Sequence, residues 1–176
     1  MKYGELFNEY ISLLSKWGDY IRTMYKLKDG YISKKTISGK QYSYLQKRVN
    51  NKLNSEYIRE DMLPQVKSEL EKRDELEKRI NQVNEQLKKI EAAANILDKS
   101  LYRKLIVLKR CAVMDSMPAD MRRRSLEFGN AMAALEGIPA SEDTENYLSL
   151  WVEGQNSFKD GYLQILAKYN LIKGVV

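Results

Sequence analysis

The chain of 176 residues contains no histidine and a single cysteine. Without histidine, the chain cannot form a Ser-His-Asp or Cys-His catalytic arrangement, and it lacks the most common general base near neutral pH. It also lacks the HExxH, Walker A, GxGxxG and CxxC motifs that mark metal, nucleotide and redox sites. We therefore predict that the protein is not an enzyme and that it holds no metal or cofactor.

Long apolar runs are missing as well, since no run approaches the ~20 residues that span a bilayer. The start of the chain lacks the basic and then apolar layout of a signal peptide. The lone Cys111 cannot form an internal disulfide, and its helical neighbours Leu108 and Ala112 indicate a buried thiol. These features predict a soluble protein of a reducing, bacterial-type cytoplasm that has no contact with a membrane.

The net charge of +6 is distributed unevenly along the chain. Residues 1–114 have a balance of +9, whereas residues 115–170 have a balance of −4. Such asymmetry is typical of regions that meet different partners. We predict two domains, residues 1–114 and residues 115–176.

The first 24 residues have a helical period. Apolar and aromatic side chains recur at alternating spacings of four and three: Tyr3, Phe7, Tyr10, Leu14, Trp17, Ile21 and Met24. This spacing places them on one stripe of a helix, which we expect to pack on the rest of the protein.

The period then changes to that of strands. β-branched and aromatic residues are interrupted by two turn signals, Ser38-Gly39 and Asn50-Asn51. They predict a three-stranded antiparallel meander with strands near 30–37, 41–48 and 53–58. A sheet this small needs a helix against it, and the aromatic first helix is the expected cover.

A long helix is predicted after the meander, with Asp61 as its cap and Pro64 in its first turn. Its apolar stripe resembles that of a coiled coil: Leu76, Ile80, Val83, Leu87, Ile90, Ala94, Leu97 and Leu101. The stripe packs either on another helix of the chain or on a second copy in a homodimer. Whether the helix continues or turns sharply near Lys99-Ser100 stays open.

Three short helices are predicted in the last third of the chain. Asp115-Ser116-Met117-Pro118 is a helix-start signal, and glycines follow the first two helices. The expected helices are residues 119–136, a second from Ser141 to Gly154, and a third from Ser157 to near Tyr169-Asn170. The fold class is therefore mostly α, with an N-terminal helix, a small meander, a long coiled-coil-like helix and a C-terminal three-helix unit.

The meander is strongly basic. Residues 26–52 contain eight lysines or arginines and a single acid, Asp29, with tyrosines among them. Lysines neutralise phosphates and tyrosines stack on bases, so this ribbon is a candidate site for DNA or RNA. The candidate residues are Lys34, Lys35, Lys40, Tyr42, Tyr44, Lys47 and Arg48. The alternative is structural, because tyrosines favour strands and lysines protect sheet edges from aggregation.

A further motif opens the C-terminal unit. Residues 122–139 read Arg-Arg-Arg-Ser-Leu-Glu-Phe-Gly-Asn-Ala-Met-Ala-Ala-Leu-Glu-Gly-Ile-Pro, and Ser141-Glu142 opens the next helix. Over about residues 120–170, this arrangement resembles the VbhA-type antitoxins, which inhibit Fic-domain enzymes. The N-terminal region resembles an uncharacterised bacterial family that combines a basic hairpin with a long helix, which implies no function.

The antitoxin resemblance implies a specific inhibitory contact. Fic enzymes transfer AMP from ATP to a protein hydroxyl, and their inhibitors carry the motif Ser/Thr-x-x-x-Glu-Gly/Asn, whose glutamate pairs with an arginine that holds the ATP γ-phosphate. Glu136 and Gly137 match the end of this motif, whereas Met132 stands where Ser or Thr is expected. The partner-binding residues that follow from it are Phe128, Ala131, Ala134 and Leu135.

Three functions are compatible with these patterns. The preferred one is an antitoxin-like protein that inhibits a separate Fic-type enzyme, because the chain lacks the signature His-x-Phe-x-Asp/Glu-Gly-Asn-Gly-Arg. The alternative is a nucleic-acid-binding regulator, or a phage-encoded inhibitor of a nucleic-acid enzyme, that acts through the meander. The third is a coiled-coil adaptor.

Overall fold

The structure, a computed structural model, describes residues 3–168. Within them it confirms the predicted fold class, with α-helices and one small sheet in the order α1 Tyr3–Met24, β1 Tyr31–Ile37, β2 Lys40–Val49, β3 Lys52–Ile58, α2 Leu63–Leu97, α3 Lys99–Ser116, α4 Ala119–Leu135, α5 Glu142–Val152 and α6 Phe158–Lys168. The predicted end of the last helix, near Tyr169-Asn170, lies outside the described residues.

The chain forms two compact units. One comprises the described residues up to Arg22 and from Gln82 onward, and the other comprises Thr23–Asn81. These units reflect contacts within the chain, whereas the division predicted at residue 114 concerns charge and partners and stays a prediction.

The sheet is an antiparallel meander in the order β1-β2-β3, as predicted. Two-residue turns join its strands, Ser38-Gly39 and Asn50-Asn51, and all four of these residues have positive φ angles between 50° and 74°. Positive φ at both central residues is the geometry of the type I′ turn, whose twist matches that of paired strands. Both turn predictions are confirmed.

One face of the sheet packs on the start of α2. Leu45 and Ile58 are buried there against Val66, and Ile32, Leu63 and Leu70 complete the cluster. The prediction that the first helix covers the sheet was wrong. The covering helix follows β3 directly, and its residues Leu63, Val66 and Leu70 recur at the spacing of one helix face.

Asp61 does not cap α2, contrary to our prediction. A short 3₁₀ turn, Glu60–Met62, precedes the helix. The Asp61 carboxylate instead accepts two hydrogen bonds from the Arg59 guanidinium, at 3.1 and 2.7 Å. A forked pair with arginine satisfies both carboxylate oxygens, so none is directed at a free helical N–H.

The core of the other unit joins three helices. Its buried residues are Leu6, Tyr10 and Leu14 of α1, Val83, Leu87, Ile90 and Ala94 of α2, and Leu105 of α3. The predicted stripes of α1 and α2 therefore face each other here. Because α1 and α3 of the same chain bury the stripe of α2 between Val83 and Ala94, no second copy is needed to cover this part of the stripe.

Tyr10 lies at the centre of this core and is fully buried. Its hydroxyl donates to the Glu91 carboxylate at 2.8 Å and also lies 3.2 Å from the Leu105 carbonyl oxygen. Lys109 forms an ion pair with the same carboxylate at 2.9 Å. Burial, with the neighbouring Glu91 carboxylate, raises the pKa of Tyr10 well above its usual value, so the phenol stays protonated.

The long helix ends in a sharp turn at Asp98. The backbone of Asp98 is extended, and its carboxylate accepts from the N–H groups of Ser100 and Leu101 at 2.7 and 3.3 Å, which caps α3. Helix α3 then runs back along α2. Lys109 of α3 pairs with Glu91 of α2, and Leu105 of α3 lies in the same core as Ala94 of α2. Leu97, predicted in the stripe, is 63% exposed because the helix ends there.

The three C-terminal helices end and begin largely at the predicted residues. Gly137 and Gly154 follow α4 and α5 with φ of 71° and 77°. Ser157 caps α6, since its hydroxyl accepts from the Asp160 N–H at 3.0 Å. The predicted start signal of α4 supplies no side-chain cap, and the Asp115 carboxylate within it accepts from the Phe158 N–H at 2.6 Å instead.

No helix among the described residues is both long and apolar enough to cross a membrane.

Two leucines of α2 offer a matched test of this core. Leu87 is fully buried, whereas Leu97 is mostly exposed. Leu87→Ala should lower the free energy of unfolding by about 2–5 kcal/mol, because it leaves a cavity among close-packed side chains. Leu97→Ala should change it by no more than about 0.5 kcal/mol. Urea unfolding followed by circular dichroism measures both, and equal effects would contradict the packing described here.

Candidate functional site

Arg122 attaches helix α4 to helix α5. The Arg122 guanidinium donates to the carbonyl oxygens of Trp151 at 2.6 Å and Met117 at 3.0 Å. It also lies 6.0 Å from the ring of Trp151, which is almost fully buried and packs edge-on against Phe158. These contacts fix which side of α4 faces the protein, and consequently which side faces solvent.

The outer side of α4 is apolar and uncovered. No residue of this helix is buried. Phe128, Met132 and Leu135 recur at helical spacing and are 69%, 41% and 81% exposed, and Ile138 just beyond the helix is 70% exposed. Side chains at positions i, i+4 and i+7 share one helix face. We call this set, Phe128, Met132, Leu135 and Ile138, the α4 apolar face.

Glu136 and Gly137 form the C-terminal end of α4. Glu136 is the C-cap, and Gly137 follows with a positive φ. The Gly137 N–H bonds to the Ala134 carbonyl and the Ile138 N–H to the Ala133 carbonyl, at 3.1 and 2.9 Å. This is the Schellman arrangement, which favours glycine because the left-handed backbone strains other residues.

The Glu136 carboxylate is exposed and has no hydrogen bond or ion pair within residues 3–168. It lies at the negative end of the helix dipole, where a carboxylate costs about 0.3–1 kcal/mol rather than stabilising the helix. Met132 lies one turn before it, and Ala131 and Ala134 are exposed beside it. The structure thus places all seven predicted inhibitory and partner-binding residues on the solvent side of one helix.

The sheet has one covered and one open face. Directly paired residues of antiparallel strands lie on the same face of the sheet, so the register shows on which of the two faces each side chain lies. Tyr31 pairs with Gln46, Lys35 with Tyr42, and Tyr44 with both Ser33 and Tyr57. The face opposite the Leu45 core consists of Tyr31, Ser33, Lys35, Ile37, Lys40, Tyr42, Tyr44, Gln46, Arg48, Leu53, Ser55 and Tyr57. We call it the tyrosine face.

Three tyrosines form a cluster on the tyrosine face. The ring centre of Tyr57 lies 6.1 Å from that of Tyr42 and 5.8 Å from that of Tyr44, with interplanar angles of 60° and 65°. The ammonium group of Lys35 lies 4.8 Å from the Tyr44 ring centre, within range of a cation–π interaction. Tyr57 and Tyr31 are each about half exposed, at 51% and 54%.

The structure separates the seven predicted nucleic-acid contacts. Lys35, Lys40, Tyr42, Tyr44 and Arg48 lie on the tyrosine face, whereas Lys34 and Lys47 lie on the opposite face. The period of two along β2 separates Lys47 from Tyr42 and Tyr44 even in sequence. Tyr31 and Tyr57 were not predicted as site residues, because only the strand register shows that they share the face of Tyr42 and Tyr44.

Lys47 is engaged by Asp29, with 2.5 Å between the ammonium nitrogen and the carboxylate. Arg73 lies 3.4 Å from the other carboxylate oxygen and donates to the Met24 carbonyl. The hydrogen bond from Lys47, aided by the charge of Arg73, lowers the pKa of Asp29 against the opposing effect of burial. The single acid of the basic segment therefore neutralises a lysine that is not on the tyrosine face.

Two further features bear on reactive chemistry, the thiol of Cys111 and the arrangement of acidic side chains. Cys111 is buried, as predicted, and burial raises the pKa of its thiol to about 11, so it stays protonated at neutral pH. In the described part of the chain, no group of three or more acidic or thiol side chains is arranged to hold a metal ion.

The lowered pKa of Asp29 predicts a pH dependence. A carboxylate whose pKa is lower in the folded state stabilises the fold above its unfolded pKa of about 3.9, and this contribution disappears as pH falls through the folded pKa. Asp29→Asn should therefore destabilise the protein at pH 7, and the difference from the parent should shrink below about pH 4. Urea unfolding at pH 7, 5, 4 and 3 measures this difference. Asp74→Asn, at an exposed position of α2, is the control for the loss of a carboxylate outside this cluster.

Comparison with known families yields a match in the first part of the chain. Residues 5–68 match the model of a family described as a domain of unknown function, DUF6788. This stretch contains most of α1, the whole sheet with its tyrosine face, and the start of α2. Comparisons with curated proteins and with solved structures found no match. The chain is thus similar to this family over its first part, and α4 lies outside the matched residues.

Proposed function

We propose that the protein is a non-catalytic inhibitor that binds a separate Fic-type AMP-transferring enzyme through helix α4. The observation that supports this most directly is the α4 apolar face. A contiguous patch of exposed apolar side chains often marks a protein interaction surface, whereas single scattered ones are common on any protein. A helix presenting anchors at i, i+4 and i+7 fits the common mode in which a helix lies in a partner's groove.

The apolar face supplies affinity, since burying a side chain of the size of Phe128 or Leu135 stabilises a complex by about 1.5–3 kcal/mol. The neighbouring Ala131 and Ala134 are small, so a partner's surface can approach the helix closely between these anchors. Because Arg122 holds the opposite side of α4 on α5, the helix is already folded when it meets its partner. Little ordering entropy then opposes binding.

Glu136 supplies the inhibition. A carboxylate at an unfavourable helix end, without a partner in residues 3–168, is available for a bidentate pair with an arginine of another protein. In the enzymes that the resemblance points to, this arginine holds the ATP γ-phosphate. Pairing would remove that contact and place negative charge where the phosphate must lie, so the phosphates would be misaligned for in-line transfer.

Met132 modifies this scheme. It stands where the antitoxin motif has Ser or Thr, so it cannot donate a hydroxyl hydrogen bond to the partner. Its side chain belongs to the α4 apolar face, one turn before Glu136. We propose that this position contributes apolar contact here, and that the inhibitory effect depends on the Glu136 carboxylate alone.

Inhibition can be tested apart from binding. Glu136→Gln keeps the size of the side chain and removes its charge, so it should restore AMP transfer by the Fic enzyme that co-purifies with the protein, while the complex persists. Glu127→Gln, an exposed glutamate of the same helix, should inhibit like the parent. The measurement is incorporation of labelled AMP, with the complex followed by gel filtration. Equal inhibition by both variants would remove Glu136 from the mechanism.

Binding has its own test. Phe128→Asp should weaken the complex by at least tenfold, because it places a charge at the centre of a surface that must lose its water. Ile96→Asp is the matched control, since Ile96 is also a large exposed apolar residue, 85% accessible, but lies on α2. Calorimetric titration of the enzyme with each variant gives the dissociation constants. If both aspartates have the same effect, α4 is not the docking helix.

A further inference from the structure

We propose that the tyrosine face of the sheet binds single-stranded nucleic acid. This activity is independent of the α4 proposal, because it uses different residues in the unit Thr23–Asn81. It also concerns the part of the chain that is similar to a domain of unknown function.

The charge of this face fits a polyanion. Its twelve residues include three cations, Lys35, Lys40 and Arg48, and no acid. The acids nearest in sequence are accounted for elsewhere: Asp29 pairs with Lys47, and Glu56 pairs with Lys28 at 3.6 Å. Positive charge on the face is therefore not neutralised within residues 3–168, and phosphates approaching it would release counterions.

The aromatic rings fit unpaired bases. Tyr57 is tilted by 60° and 65° against its two neighbours, so neither neighbour lies flat against its ring, and about half of Tyr57 stays open to solvent. Sequence-tolerant binding of single strands combines such aromatic platforms with a basic surface along the backbone. Lys35, over the Tyr44 ring, places a phosphate-binding group directly beside a stacking group.

Two other ligands fit this face less well. In a duplex the bases are stacked on each other, so the tyrosine rings could contact only its backbone and grooves. A membrane surface would favour large apolar residues that insert below the headgroups. The centre of the tyrosine face instead carries Ser33, Gln46 and Ser55, and its aliphatic residues, Ile37 and Leu53, lie near the strand ends. The hydroxyls of Ser33 and Ser55 can hydrogen-bond to bases or sugars, whereas Gln46 is buried and donates to Ser55 at 3.4 Å.

The adjacent residues Lys34 and Lys35 provide a matched pair for the experiment. Both are lysines of strand β1 and are adjacent in sequence, but their side chains lie on opposite faces of the sheet. The probes are fluorescein-labelled 20-mers of one mixed sequence, as single-stranded DNA and single-stranded RNA, with the DNA duplex and anionic phosphatidylserine vesicles as further arms. Binding to the full chain is followed by fluorescence anisotropy between 25 and 300 mM salt.

We expect the parent protein to bind the single strands at least tenfold more tightly than the duplex. Lys35→Ala should weaken binding and Lys34→Ala should not. Replacing Lys35, Lys40 and Arg48 by alanine together should flatten the slope of log K against log salt by about two, since each lost contact to a single strand removes about 0.7. Tyr57→Leu should weaken binding at least fivefold, whereas Tyr57→Phe should keep it, because the ring and not the hydroxyl stacks on a base.

Several results would overturn the proposal. These are no binding of either single strand at 25 mM salt, equal loss in Lys34→Ala and Lys35→Ala, tighter binding of duplex, or tighter binding of vesicles than of oligonucleotides. Circular dichroism and melting of each variant distinguish a lost contact from a lost fold, and the Lys34→Ala and Lys35→Ala pair keeps the proposal testable if Tyr57→Leu unfolds. A difference between the DNA and RNA arms assigns the natural ligand within the proposed class.

Discussion

The turn of the chain at Asp98 is the constraint on which the larger unit depends. One carboxylate, bonded to two backbone N–H groups, ends a 35-residue helix and starts the next. Only because α3 then runs back can Leu105 join the side chains of Leu87 and Tyr10 in one core. The same return brings Lys109 to the Glu91 carboxylate, which accepts the hydrogen bond from the Tyr10 hydroxyl at the centre of the core.

Much of this architecture could be predicted from spacing and turn residues. The stripe containing Tyr10 and Leu14 identified the buried side of α1, although it omitted Leu6, which lies one residue off the strict repeat. Turns depend on few residues, so Ser38-Gly39 and Asn50-Asn51 could be located from sequence alone. The glycines after α4 and α5 were equally informative, since a left-handed backbone strongly favours that residue type.

What the sequence could not decide was which partner a given side chain meets. Asp61 was predicted to cap α2, and Asp115 lies in the start signal of α4. Asp61 instead binds Arg59, and Asp115 accepts from the N–H of Phe158 at the start of α6. A carboxylate accepts from whichever donor folding brings closest, and this depends on contacts that a local pattern does not contain. The candidate sites show the same limit. A run of lysines appears as one basic patch in sequence, whereas the strand register divides it between two faces.

The two-residue turns of the sheet have a consequence for how its surface can change. Side chains alternate between faces, so a strand displaced by one position presents its other set of side chains outward. One residue inserted beside Gly39 would thus move Lys34 and Thr36 to the open side and turn Lys35 to the face of Leu45, without altering a single aromatic or basic residue. The length of the turns therefore determines which side chains form the exposed surface, just as the residue types do. Insertions within them should be tolerated far less than substitutions on the face.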